Sequence, residues 1–104
     1  FAYGRYDEAE VEWKALLNAD SRDHASQLML ARTYRALGKG SLAHVVLEGL
    51  ITAGHHRARV ERARLLLAEG DVEGAVRDFR AAITEDPALF DAELAERLGV
   101  RPAA

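Results

Sequence analysis

The chain has no cysteine, two prolines and no long apolar run. Without cysteine there is no disulfide scaffold, no thiolate-ligated metal and no thiol catalysis. No apolar stretch approaches the roughly 18 residues that a membrane-spanning helix needs, and no basic segment followed by an apolar one marks a signal peptide. We therefore expect a cytoplasmic protein, provided that Phe1 lies near the true start of the chain.

Residues that favour β-strands are scarce as well. Val, Ile and Thr together supply 12 of the 104 residues, whereas Ala occurs 20 times and Leu 14 times. Alanine and leucine are strong helix formers. The composition predicts a single all-α domain over 1–104, large enough to bury roughly 65% of its unfolded surface.

The charges are unevenly distributed along the chain. Residues 1–20 carry a net charge of −3, residues 21–66 a net charge of +5, and residues 67–104 a net charge of −5. A cationic middle can attract an anionic partner. The alternative is a set of solvated helix faces with ordinary ion pairs between neighbouring turns.

A pattern of small and large residues recurs three times. Gly4, Gly38 and Gly70 are 34 and 32 residues apart. Each is followed after five residues by alanine, after nine by a large apolar residue, and after twelve by another apolar one. These followers are Ala9, Ala43 and Ala75, then Trp13, Leu47 and Phe79, then Leu16, Leu50 and Ala82. The glycine suits the turn that closes a helix, the alanine a close contact between two helices, and stacked helix pairs would bury the large residues.

This pattern resembles the tetratricopeptide repeat. The resemblance rests on Gly-Arg-Tyr-Asp-Glu-Ala at 4–9 and on Gly-Asp-Val-Glu-Gly-Ala at 70–75 with Phe79, Ala82 and the closing Asp86-Pro87. Ala31 and Tyr34 match the small residue and tyrosine of the first helix of a pair, whereas Ser21 and His55 stand where the family places its proline. It covers roughly residues 1–87 and implies a right-handed α-solenoid of antiparallel helix pairs that binds other proteins without catalysis.

These signals divide the chain into a partial repeat at 1–20, repeats at 21–54 and 55–87, and a capping helix at 88–99. Helices are predicted at about 7–19, 22–37, 41–53, 57–69, 72–85 and 87–98. Ser21, Asp71 and Asp86 are predicted N-caps, the last of them ahead of a proline at the first helical position. Phe90, Leu94 and Leu98 form the apolar stripe of the last helix, which Gly99 and Pro102 end.

The resemblance also implies where a partner would bind. First helices of successive pairs line the concave groove of such arrays, and here Leu30, Ala31, Tyr34, Leu37, Ala63 and Leu66 should face the core instead. The expected groove residues are Leu28, Met29, Arg32, Arg35, Arg57, Val60, Glu61 and Arg64. Because arginine forks bind carboxylates in pairs of hydrogen bonds, we expect an extended peptide that is acidic or ends in a carboxylate. The alternative is that these arginines pair with Glu61 and with acids of neighbouring helices.

A second interpretation concerns the start of the chain. Residues 1–4 match only the tail of a first helix, so the helix at about 7–19 would lack a full partner. We expect Tyr6, Val11, Trp13 and Leu17 to be partly exposed there. Exposed apolar surface marks interfaces. The chain would then form a homo-oligomer, or dock onto the rest of a larger protein, through this helix.

The histidines do not form a metal motif. They are His24, His44, His55 and His56, and no two of them stand four residues apart, as ligands on one helix face would. Adjacent histidines point away from each other on a helix. We expect surface or turn histidines and neither a metal nor a cofactor.

No motif for catalysis or nucleic-acid binding is present either. Ser21, Ser26 and Ser41 lack the context of a nucleophile elbow, and Gly38-Lys39-Gly40-Ser41 lacks the strand and the earlier glycine of a phosphate-binding loop. The basic middle carries no interleaved aromatic residue apart from Tyr34, and the chain as a whole is acidic. We expect no enzyme, no catalytic residue and no nucleic-acid partner.

Overall fold

The structure, a computed structural model, describes residues 3–19 and 23–101 of the chain. These residues form α-helices and one short 3-10 helix, with no strand among them. This confirms the predicted all-α class. The α-helices are α1 (Tyr3–Ala19), α2 (His24–Ala36), α3 (Gly40–Thr52), α4 (Arg57–Ala68), α5 (Val72–Glu85) and α6 (Ala92–Leu98), and the 3-10 helix is Pro87–Leu89.

The chain divides into two compact units, Phe1–Gly54 and His55–Ala104. In the first unit, α2 packs against both α1 and α3. In the second unit, α4 packs against α5, which also contacts the 3-10 helix and α6. The packed helices that are consecutive in sequence are therefore α1–α2 and α2–α3 in the first unit, and α4–α5 in the second.

Two of the three repeated glycines end a helix as predicted. Gly38 and Gly70 have φ angles of 76° and 86°, the left-handed region that glycine adopts without steric cost. In both turns the amide of the residue after the glycine donates to a carbonyl in the last helical turn (N···O 2.8 Å). The same hydrogen-bonded C-terminal turn therefore ends α2 and α4.

The third glycine does not close a helix in the described residues. Gly4 lies inside α1, which begins at Tyr3, ahead of the predicted start at about residue 7. A glycine inside a helix costs only about 1 kcal/mol, so it does not prevent a helix from continuing through it. The glycine pattern alone could not distinguish this position from the other two.

The residues that follow Gly38 and Gly70 are buried as the repeat predicts. Their side chains have 0–2% of their surface exposed. They are Ala43, Leu47 and Leu50 in α3 and Ala75, Phe79 and Ala82 in α5. The repeated spacing therefore marks the contact face of the second helix in each pair.

Larger sets of apolar side chains complete the two cores. The first unit also buries Leu30, Ala31, Tyr34 and Leu37, as predicted for the inner face of α2. The core of the second unit contains Val60, Ala63, Ala75, Phe79, Ala82, Leu94, Ala95, Leu98 and Val100, with Leu66 partly buried against it.

Two of the predicted N-caps are confirmed. The Asp71 carboxylate accepts a hydrogen bond from the Gly74 amide (2.9 Å) at the start of α5. The Asp86 carboxylate accepts one from the Ala88 amide (3.0 Å), with Pro87 at the first helical position. Both satisfy amides that a helix start otherwise leaves unpaired.

The cap of α2 differs from the prediction. Ser21 lies outside the described residues, and Asp23 is the N-cap: it accepts from the Ser26 amide (3.1 Å) and from the Ser26 hydroxyl (2.7 Å). Asp23 therefore places the start of α2 at His24, two residues after the predicted start. Aspartate and serine are equally good caps, so the residue type alone could not decide between them.

The predicted last helix is interrupted. The 3-10 helix ends at Leu89, Phe90 and Asp91 have extended backbones, and α6 begins at Ala92. Asp91 caps α6 by accepting a hydrogen bond from the Leu94 amide (3.0 Å). The stripe of apolar residues predicts one continuous helix, but the strong capping preference of aspartate starts a new one. Gly99 ends α6 with a φ of 70°, as predicted, whereas Pro102 lies outside the described residues.

We predict opposite effects of alanine at two glycines of the first unit. Gly38→Ala should lower the free energy of unfolding by about 1–2 kcal/mol, because a side chain is strained at positive φ. Gly49→Ala should raise it by up to about 1 kcal/mol, because Gly49 lies inside α3 and a methyl group there meets no other atom. Urea unfolding of both variants measures the difference, and effects of the same sign would contradict the turn geometry.

Candidate partner-binding site

The outer face of α2 carries four of the predicted partner-binding residues. Leu28, Met29, Arg32 and Arg35 are all partly buried, in contrast to the fully buried inner face of the same helix. Apolar and cationic side chains thus share a surface with partial access to solvent. The helix periodicity explains this division, since residues three and four apart lie on one side.

The two arginines of this α2 face have different surroundings. The Arg32 Nη1 atom lies 3.6 Å from the Met29 sulfur, which places a guanidinium group next to a thioether. The side chain of Arg35 has no hydrogen-bond or ion-pair partner among the described residues. No acidic residue occurs at positions 24–47, so α2 itself supplies no carboxylate to neutralise either arginine.

The four predicted residues on α4 have different surroundings. Arg57, the first residue of α4, is exposed and has no partner among the described residues. Val60 is only 5% exposed and packs in the core of the second unit. It therefore contributes to the core and offers little contact area to a partner, contrary to its predicted place on the floor of a groove.

Glu61 and Arg64 pair with each other within α4. Arg64 Nη1 donates to Glu61 Oε1 (2.7 Å) and Nη2 donates to Asp91 Oδ2 (2.6 Å). Glu61 is 4% exposed, so Arg64 balances a buried carboxylate. This matches the alternative that the sequence left open for Arg64, namely an ion pair with Glu61 and an acid of a neighbouring segment.

Asp91 has two roles, at the start of α6 and opposite Arg64. The hydrogen bond from the Leu94 amide, followed by the charge of Arg64, lowers the pKa of Asp91 below its ordinary value. A carboxylate with a lowered folded-state pKa stabilises the fold above its ordinary pKa of about 3.9. That stabilisation is lost as the pH falls through the lowered value.

A second ion-pair cluster was not predicted from the sequence. Arg62 donates to both oxygens of Asp78 (2.6 and 2.7 Å), and Arg59 lies 3.8 Å from the same carboxylate. Asp78 is 6% exposed. Arg62 and Asp78 are 16 residues apart, on α4 and α5, so no local spacing rule could have paired them. The cluster ties the two helices of the second unit together.

The α1 residues of the second interpretation differ in exposure. Val11 is 67% exposed, and Tyr6 and Trp13 are partly buried. The side chain of Leu17 lies outside the described residues. Val11 is therefore the clearest exposed apolar side chain on α1.

One side of α1 is held by polar contacts within the first unit. Glu10 accepts from Lys14 (3.0 Å) and from Lys39 (2.8 Å). These two hydrogen bonds, that from Lys39 first, lower the pKa of Glu10. Lys14 also lies 5.8 Å from the centre of the Tyr34 ring, within the range of a cation–π contact. These contacts orient α1 on α2.

The described residues contain neither a cluster of metal ligands nor a membrane-spanning helix. Within 3–19 and 23–101, no three His, Asp or Glu side chains converge in a way that could hold a metal ion. None of the helices described for the chain has both the length and the apolar character needed to cross a bilayer.

Comparison of the chain with protein-family models, with curated proteins and with solved structures gives no match. The tetratricopeptide resemblance therefore stays a prediction from the residues of this chain.

We predict that two arginines of α4 respond differently to charge reversal. Arg64→Glu should lower the free energy of unfolding by about 2 kcal/mol, because it removes the guanidinium group that bonds to the buried Glu61 and to Asp91 and adds a third carboxylate beside them. Arg57→Glu should change it by less than about 0.5 kcal/mol, since an acid is favourable at a helix start. Urea unfolding at neutral pH compares them, and equal effects would contradict the ion-pair geometry.

Proposed function

We propose that the chain is a tetratricopeptide-like repeat module that binds an extended, acidic segment of another protein and has no catalytic role. The right-handed arrangement of its helix pairs is part of this proposal. The repeat assignment is supported by a pattern that recurs in two helix pairs. In each pair a glycine with positive φ precedes a buried alanine and a buried large residue. This is the arrangement that stacked helix pairs require.

The outer face of α2 is the observation that carries the proposed binding. Partly buried Leu28 and Met29 supply apolar contact, while Arg32 and Arg35 lie beside them in a stretch without acids. An acidic peptide would bring carboxylates to this face, and guanidinium groups hold carboxylates through paired, charge-assisted hydrogen bonds. Arg57 offers a further exposed cation on α4, whereas Arg64 is already bound to Glu61 and Asp91.

The test begins with selection of peptides from a random display library on the intact chain. We expect the selected peptides to be rich in Asp and Glu and to bind Arg32→Glu/Arg35→Glu about tenfold more weakly, because reversal replaces attraction with repulsion at two partly exposed positions. Arg35→Glu alone breaks no contact among the described residues and should give part of this loss. Fluorescence anisotropy of labelled peptides measures the affinities.

A matched control reverses two exposed arginines elsewhere. Arg5→Glu/Arg77→Glu makes the same change in net charge, at positions that are exposed and lack partners among the described residues. Binding should be kept in this variant. Selected peptides without acidic residues, equal losses in both double variants, or no selected peptide at all would each overturn the proposal.

The exposure of Val11 favours a second function, self-assembly through α1. If this face joins copies of the chain, Val11→Asp should shift the molecular mass measured by light scattering from a multiple of 11.4 kDa to a single chain. Glu12→Asp, at a neighbouring exposed position, should leave the mass unchanged. A wild-type chain that remains monomeric at high concentration would rule this function out.

A further inference from the structure

The second unit contains an open groove of about 860 Å³. It lies where the C-terminal half of α5, the segment around the 3-10 helix and the residues after α6 meet. Its lining includes Arg80, Ile83, Pro87, Phe90, Val100 and Arg101. None of the residues proposed above for partner binding or self-association lines it.

The groove follows from the interruption of the last helix. Phe90 is in an extended conformation between the 3-10 helix and α6, and its ring packs against Phe79 with centroids 5.9 Å apart. After α6, Gly99 adopts a positive φ and turns the chain. The Val100 amide then donates a hydrogen bond to the Ala95 carbonyl (2.9 Å). Val100 therefore returns to the core, and a recess opens beside α5.

The floor of the groove is apolar and incompletely covered. Ile83 and Phe90 pack against the core of the second unit with one side and remain partly accessible on the other, and Pro87 is exposed. Pockets of about 300–1,000 Å³ are large enough to enclose bulky apolar groups. The recess can therefore accept a large apolar side chain of a partner.

Two cations line the same recess without a counter-charge. The guanidinium groups of Arg80 and Arg101 are exposed and have no hydrogen-bond or ion-pair partner among the described residues. No acidic side chain lines the groove, although residues 67–104 contain nine acidic and four basic residues. The Thr84 hydroxyl already donates to the Arg80 carbonyl (2.7 Å). Carboxylates are therefore the groups that would complement the two arginines of the groove.

The negative net charge of the surrounding segment favours a short acidic peptide over a long polyanion as the partner. A polyanion such as nucleic acid would meet the net charge of −5 over residues 67–104. A short peptide needs to bring only a few carboxylates to the two arginines, and charges farther away than about 8 Å are largely screened at physiological salt. A short acidic peptide with one bulky apolar side chain therefore fits both the apolar floor and the two arginines of the groove.

We propose that this groove binds a short segment of a partner protein in which a bulky apolar side chain is flanked by carboxylates. The apolar side chain lies on Ile83 and Phe90, and the carboxylates pair with Arg80 and Arg101. This site is on α5 and the residues that follow it, so it is separate from the binding face proposed for α2.

The probe is a blocked synthetic peptide with a central Leu-Phe pair and two glutamates on each side. Added to the isotope-labelled intact chain at physiological salt, it should shift the amide signals of Thr84, Gly99 and Val100. Two matched peptides, one with glutamine for glutamate and one with serine for Leu-Phe, should each bind about tenfold more weakly, since each lacks one half of the recognition.

Variants of one helix then locate the site. Arg80→Glu should weaken binding of the probe about tenfold, whereas Arg77→Glu, an exposed arginine on the same helix that does not line the groove, should keep it. Thermal unfolding of both variants verifies the fold. Arg35→Glu, which alters the α2 face, should also keep groove binding. The groove proposal and the α2 proposal can therefore fail independently of each other.

Three outcomes would overturn the proposal. The first is the absence of shifts at the groove amides. The second is an equal loss in Arg80→Glu and Arg77→Glu, which would indicate a general charge effect. The third is equal binding of the serine peptide, which would show that the apolar floor is not used.

Discussion

Close contact through alanine is the constraint on which both units depend. Ala43, Ala63, Ala75 and Ala82 have no exposed surface, and at such positions a larger side chain would push two helices apart. Protein interiors are packed about as densely as organic crystals and do not absorb an added side chain without strain. The spacing of the helices in each unit, and with it the placement of the outward-facing arginines, follows from these small residues.

The sequence predicted the parts of the fold that short-range rules govern. Gly38 and Gly70 mark helix ends because only glycine adopts positive φ without cost, and Asp71 and Asp86 cap helices because their carboxylates reach amides two or three residues away. The sequence-based prediction of the helices failed where two local rules competed. At Asp91, for example, a capping residue interrupts a helical apolar stripe. Gly4 shows the same limit, since a glycine is compatible both with a helix end and with a helix interior.

The candidate site was less predictable because a sequence does not show which arginines already have partners. Periodicity gives equal standing to Arg32 and Arg35 on α2 and to Arg57 and Arg64 on α4. Arg64 nevertheless bonds to Glu61 and to an aspartate 27 residues away. The helical wheel placed Val60 outward, whereas it packs in the core of the second unit. Contacts between segments distant in sequence decide both cases, and they arise only when the helices have packed.

The division into two units has an optical consequence. The single tryptophan and all three tyrosines lie before Gly54, whereas His55–Ala104 contains only phenylalanine as an aromatic residue. Intrinsic tryptophan fluorescence therefore originates entirely in the first unit, while far-ultraviolet circular dichroism sums the helices of both. Recorded on the same sample during denaturation, the two signals coincide if the whole chain unfolds cooperatively and separate if one unit melts before the other.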